Sequence, residues 1–227
     1  MTSSEDQRSP DSPRPVGRPR RIDPARIVEA ARRVLEEEGV EALSMRRIAR
    51  EVGATPMALY HHVRDKDELL MLALAGLAAQ IPRPVLPEAP RDRVLVTALH
   101  MYTALGRFPW AVEVLGMGDL TDKGALWMPE EIIASCIAHG RTREQAVHTY
   151  RTLWYYVYGA LRFRAAESRR ARQSDRRPFF PDLLTPEDAG ELPHLTSMAA
   201  DWQELTRDYD VAEQLRALVN GLLPEAT

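Results

Sequence analysis

Apolar side chains recur every three to four positions along most of the chain, the spacing of one helical face, and no run alternates with the period of two expected of a strand. The first such run is Ile27, Ala30, Ala31, Val34 and Leu35. It is opened by Asp23-Pro24, an N-cap followed by a first-turn proline, and closed by Gly39. A shorter second run has Met45, Ile48, Ala49 and Val52 inward, with Ser44 as its cap and Gly53 as a left-handed stop. Thr55-Pro56 then starts a third helix through Leu59 to Val63, about two turns or roughly 12 Å long at the helical rise. Asp65 with Glu68 has the spacing of a capping box and opens a fourth helix through Leu69, Leu72, Ala73 and Leu77, ended by Pro82 and Pro84.

Past the prolines, a fifth helix is predicted over about 91–108, with Val94, Leu95, Ala98, Leu99, Tyr102 and Leu105 inward. Short helices follow over 110–117 and 129–139, on either side of a loop at 116–124. Thr142 and Gln145 form another capping box and open a long helix to about Arg172, with Ala146, Tyr150, Leu153, Val157, Ala160 and Leu161 on one face. Residues 173–191 are polar and contain proline, which predicts a loop. Helical patterns return over 192–205 and 211–223. The fold class is therefore all-α, in three parts: a disordered basic arm over 1–21, a helix-turn-helix domain over 22–81 that includes the start of the fourth, linking helix, and a helical domain over 82–227.

The pair of short helices joined by Gly53-Ala54-Thr55 is the most informative feature. A tight turn makes the second helix project from the first, and a short helix fits end-on into a DNA major groove about 12 Å wide. Leu59 and Val63, four apart, belong on the inner side. Met57, Ala58, Tyr60, His61 and His62 are then turned to the other sides. Adjacent histidines project about 100° apart on a helix, which makes them poor co-ligands for one metal.

Charge agrees with this division. The net charge of −3 hides 12 basic and 8 acidic side chains in residues 14–66, against 18 and 25 elsewhere, a basic front on an acidic body. The segment Gly17-Arg18-Pro19-Arg20-Arg21 is a cationic arm suited to phosphates or a minor groove, and equally to a solvated tail. No run of eighteen apolar residues suggests a membrane span, and the polar, proline-rich beginning lacks the apolar middle of a signal peptide, so a cytoplasmic protein is expected. The single cysteine, Cys136, sits in an apolar run and is expected to be a buried thiol.

The stretch LSMRRIAREVGATPMALYHHVRDKDELL, Leu43 to Leu70, resembles the DNA-binding signature of the tetracycline-repressor (TetR) family, and the likeness extends over about residues 22–80. The resemblance implies a two-part helical fold, a dimer on a palindromic double-stranded operator, and release by a small molecule. It makes Tyr60, His62 and Lys66 phosphate-holding residues and puts Arg46 within reach of a base edge, where a guanidinium pairs best with guanine. Met57, Ala58 and His61 are the remaining readout candidates. Ser44, Met45, Thr55 and Pro56, with Arg18 and Arg20 of the arm, complete the DNA-facing set.

In the second half, Trp110, Trp127, Trp154, Tyr155, Tyr158 and Phe163, with Met101, Met117 and Met128, concentrate large polarisable side chains that suit a pocket for a flat or hydrophobic effector. Each alone also suits ordinary core packing. His100, Glu113 and Asp119 are candidate polar anchors. No spacing supports a metal site, and no cofactor is expected. The apolar faces of the helices from 142 and about 210 exceed what one short chain covers, so a homodimer through a four-helix bundle is expected. An effector-independent regulator whose second half only dimerises is the competing reading. A helical enzyme is a remote one, because no nucleophile–base arrangement, phosphate loop or metal cluster is present.

Overall fold

The computed structural model describes residues 23–118, 122–170 and 180–225. Among them every regular element is helical: α1 (Pro24–Glu38), α2 (Met45–Val52), α3 (Pro56–Tyr60), α4 (Lys66–Ala78), α5 (Pro90–Leu105), α6 (Pro109–Leu115), α7 (Trp127–Ala138), α8 (Arg143–Arg170), α9 (Pro193–Met198), α10 (Trp202–Arg207) and α11 (Val211–Leu222), with short 3₁₀ turns between some of them.

The first four helices start where the capping residues stand. The side chains of Asp23, Ser44, Thr55 and Asp65 accept from the backbone N–H groups of Ala25, Arg47, Ala58 and Glu68 at 3.0, 3.2, 3.2 and 2.8 Å. Gly53, at φ 69°, ends α2 in the left-handed region, which opens the turn to α3. The box at Asp65 is only half built, because the Glu68 carboxylate reaches back to the N–H of Arg64 at 2.6 Å instead of that of Asp65. α3 is shorter than its spacing predicts. Its regular turns end at Tyr60, and His61 and His62 lie in a turn whose N–H groups both donate to the carbonyl of Leu59 while Val63 re-enters the core.

One continuous core runs through the molecule. Ile27, Leu35, Ile48, Leu59 and Leu69 interlock α1 to α4, and Val94, Ile132, Leu153, Val157 and Leu215 interlock α5, α7, α8 and α11. On α5 the buried face is rotated from the expected one and takes in Thr97, Met101 and Ala104, while Leu95, Leu99 and Tyr102 are only half-buried. The box opening α8 is complete: Thr142 Oγ1 accepts from Gln145 N at 3.2 Å and Gln145 Oε1 from Thr142 N at 3.1 Å. Cys136 is buried as expected, and burial pushes its thiol above the ordinary range despite opposing effects of Thr149 and Arg141.

The region over 192–205 departs most from its predicted pattern. It breaks at 199–201 into α9 and α10, and Leu192, Leu195, Met198 and Leu205 stay exposed, so the apolar spacing finds no surface among the described residues to bury against. Residues 180–190 are not plain loop but two 3₁₀ turns, the second capped by Thr185 and Asp188.

Candidate DNA-reading surface and sensor cavities

The turn between α2 and α3 builds the first site. Leu59 is fully buried and Val63 nearly so, and between them they fix the short α3 against α1 and α2. Met57, at 69% exposure, and Tyr60, at 49%, stand outward with Pro56, His61 and His62, while Ala58 is half-buried. Ser44 and Thr55 lie at the surface with their oxygens engaged as caps. Met45 is buried on the inner face of α2, as its helical spacing predicts, and this removes it from the DNA-facing set: its side chain packs and does not reach outward.

Two neighbouring arginines on α2 have opposite lives. Arg47 is held by Glu38 at 2.7 Å and Glu51 at 3.0 Å, so its charge is spent inside the domain. Arg46 is exposed and has no ion pair or hydrogen bond to any described residue, and the same holds for Arg50, which sequence reasoning passed over. Only the pairing geometry separates these three arginines. Lys66, first residue of α4, donates from Nζ to the carbonyl of Val40 at 3.0 Å, which engages one of three ammonium donors and holds the others beside the α1–α2 connection. Arg18 and Arg20 lie outside the described residues.

The sensor candidates do not converge on one cavity. Trp127 and Met128 join Leu74, Leu77, Leu105 and Leu115 around an apolar cavity of about 40 Å³ beside the end of α4. Trp127 also carries Arg83 over its ring at 5.1 Å and His100 at 5.6 Å. Burial lowers the His100 pKa, and its Nε2 is buried without a partner. Trp154 and Tyr158 pair at 5.8 Å on α8. The Tyr158 ring lies so near Gly116 that a Cβ there would sit 2.0 Å from the hydroxyl, which explains glycine at the end of α6. Met101 is core, Met117, Tyr155 and Phe163 are exposed, and Trp110 faces a different and larger cleft together with Glu113. Asp119 lies outside the described residues.

A family model described as "Bacterial regulatory proteins, tetR family" matches residues 27–72. An HTH-type transcriptional regulator of Saccharopolyspora erythraea is 30% identical over 194 residues, 78% of this chain and 77% of the relative. The HTH-type transcriptional repressor DrrR1 of Streptomyces coeruleorubidus is 30% identical over 190 residues, 78% of this chain and 68% of the relative. Among solved structures, the Streptomyces coelicolor TetR family protein ActR in complex with actinorhodin superposes with a TM-score of 0.70 at 24% identity, covering 90% of this chain and 97% of that one. With the α2–α3 geometry and these relatives together, the chain belongs to the TetR family of DNA-binding transcriptional regulators.

Proposed function

We propose that the protein is a repressor that binds a near-palindromic operator as a homodimer and leaves it when a small hydrophobic or aromatic molecule enters the second half of the chain. The observation that carries this reading is the short α3, locked from below by Leu59 and Val63 and bare above at Met57, Tyr60, His61 and His62, with the unpaired Arg46 beside it. In this reading Tyr60, His62 and Lys66 hold phosphates, Arg46 reads a base edge, and Met57 offers an apolar contact such as a thymine methyl accepts.

One α3 spans few base pairs, and a two-fold pair doubles the readout over half-sites about 34 Å apart. α8 supports pairing. Opposite its buried Leu153 and Val157, it presents Thr152, Gly159 and Ala166 seven residues apart, a low ridge flanked by the exposed Tyr155. A Cβ at Gly159 in the middle of α8, or at Gly221 near the end of α11, would meet nothing within 4 Å among the described residues. Mid-helix glycine costs about 1 kcal/mol relative to alanine, and close approach of a second copy's helices supplies the compensation that one chain lacks.

A small-molecule effector is in keeping with ActR, which holds actinorhodin, and the apolar cavity at Trp127 and Met128 is its proposed entry because residues of α4 line it. At about 40 Å³ it admits little more than a water, so a two-ring molecule must push its walls apart. Leu74 and Leu77 of α4 are among those walls, and Lys66 heads the same helix. Expansion thus shifts the population toward an α4 position that misplaces α3 on DNA. A coupling of about 3 kcal/mol weakens operator binding roughly 150-fold.

Footprinting on the upstream DNA of its own gene, at fixed salt, tests the reading. Lys66→Ala is expected to weaken all sequences alike and to lower the salt slope by about one, while Arg46→Ala relaxes preference at one base pair. Variants indistinguishable from wild type reject the assignment, and operator affinity identical with every bound ligand rejects the release mechanism.

A further inference from the structure

A second opening, of about 440 Å³, lies between the helix-turn-helix region and the rest of the chain, and none of the roles above uses it. Its walls come from four helices: Glu36 near the end of α1, Leu105 at the end of α5, Trp110 and Glu113 of α6, and Leu161, Arg162 and Arg164 of α8. Its size falls in the range of small-molecule sites, roughly 300–1,000 Å³, unlike the inner cavity at Trp127. α6 separates the two, with Ala111 and Leu115 lining the inner cavity and Trp110 and Glu113 the cleft.

The cleft has an apolar floor and a charged rim. Trp110 and Leu161 are buried at 4% and 5% exposure and form the floor. Arg162, Arg164 and Glu113 have no ion pair or hydrogen bond among the described residues, whereas Glu36 is already met by Arg32 at 3.4 Å. Arg164 is exposed, but its head group stays close to the fold. It lies over the α5–α6 turn, where a Cβ at Gly106 would be 3.7 Å from Nη1 and 3.3 Å from Leu161. Two uncommitted guanidinium groups against one uncommitted carboxylate leave the rim one positive charge in excess. A guanidinium fork matches a carboxylate in geometry and charge.

We propose that this cleft is a ligand site for a small organic monocarboxylate, its carboxylate held by Arg162 and Arg164 and its flat or branched apolar body laid on Trp110 and Leu161. Glu113 disfavours a second anionic group and accepts from a hydroxyl or N–H at the far end of the ligand. Because α1 supplies one wall and α5, α6 and α8 the others, an occupant fits one arrangement of the two regions better than others and so biases operator affinity. That last consequence rests on the operator-binding reading above, whereas binding itself does not.

The test uses 2-naphthoate as probe, with the neutral 2-naphthylmethanol beside it, titrated calorimetrically into the full-length protein without DNA. Saturable naphthoate binding at or below about 1 mM is expected. The double variant Arg162→Gln/Arg164→Gln should weaken it roughly tenfold or more and leave the alcohol unchanged. Both arginines are at the surface, and matching thermal melts verify that the variant is folded. Absence of naphthoate binding, or equal binding by the double variant, overturns the proposal. So does loss of binding in Trp127→Ala with the arginine variant unaffected, which assigns the probe to the inner cavity. A failed footprint with intact naphthoate binding counts against the operator reading and not against the cleft.

Discussion

The helices before Ala78 and those after Pro90 solve different problems with the same secondary structure. The first four are each fixed by a side-chain cap within a few residues of its start, and their outward groups, Arg46, Tyr60, His61 and His62, stand clear of the packed interior. In the second region the aromatic residues are dispersed. Trp110 and Trp127 line different openings, Trp154 and Tyr158 pair on α8, and Tyr155 faces outward. On the proposed reading, a surface that reads a repeating polymer needs rigid presentation, which local chemistry supplies, and a region that yields to a ligand needs distant contacts between helices that can slide.

The largest effect should come from Leu59→Ala. Removing a fully buried side chain beneath α3 is expected to cost about 2–5 kcal/mol in chemical denaturation and to abolish operator binding. Retention of binding at near-wild-type stability breaks the claim that the first region is rigidly presented. Gly116→Ala should follow at about 1–3 kcal/mol, because the new methyl drives the Tyr158 ring away; altered Trp154 emission reads the displacement. Gly53→Ala, forced to φ near 69°, and Thr55→Ala, which leaves the Ala58 N–H uncapped, are each expected to cost about 1 kcal/mol in thermal unfolding. Comparable losses of DNA affinity in those two, with effector response unchanged, would sharpen the division between the regions.

The smallest effect concerns His100. Burial lowers its pKa, so the folded state resists its protonation: the neutral form prevails above the ordinary histidine value near 6.5, and stability falls as pH drops below that value towards the lowered one. His100→Gln should flatten this part of the pH dependence of the unfolding midpoint, measured between pH 7.5 and 5.5 (about one unit either side of the ordinary value).

How much of this was legible before the structure follows from range. Asp23, Ser44, Thr55, Asp65 and the Thr142–Gln145 box act over two to three residues, and the helix starts they predict match the structure. The turn at His61-His62 was not legible, because helical spacing alone does not say that the chain bends to return Val63 to the core. Arg47 is set apart from Arg46 by Glu51, an i,i+4 partner that helical spacing offers, and by Glu38, which only the fold brings near. Arg162 and Arg164 gave no signal, since their site exists only where α8 meets α1 and α6. The broken 192–205 stretch shows the reverse error, a helical period that finds no surface among the described residues to hold it in one piece.

The bond from Lys66 Nζ to the carbonyl of Val40 has a kinetic meaning. A lysine stem free in water samples many rotamers and surrenders about 2 kcal/mol of that freedom when a polyanion captures it. Here part of that surrender is made during folding, so on the proposed reading, in which Lys66 holds a phosphate, the ammonium would meet the double helix already aimed. Because the anchor is a backbone oxygen on the link between α1 and α2, the proposed sliding of α4 would first unmoor this cation, and grip on the polymer would slacken before any helix had to leave the groove.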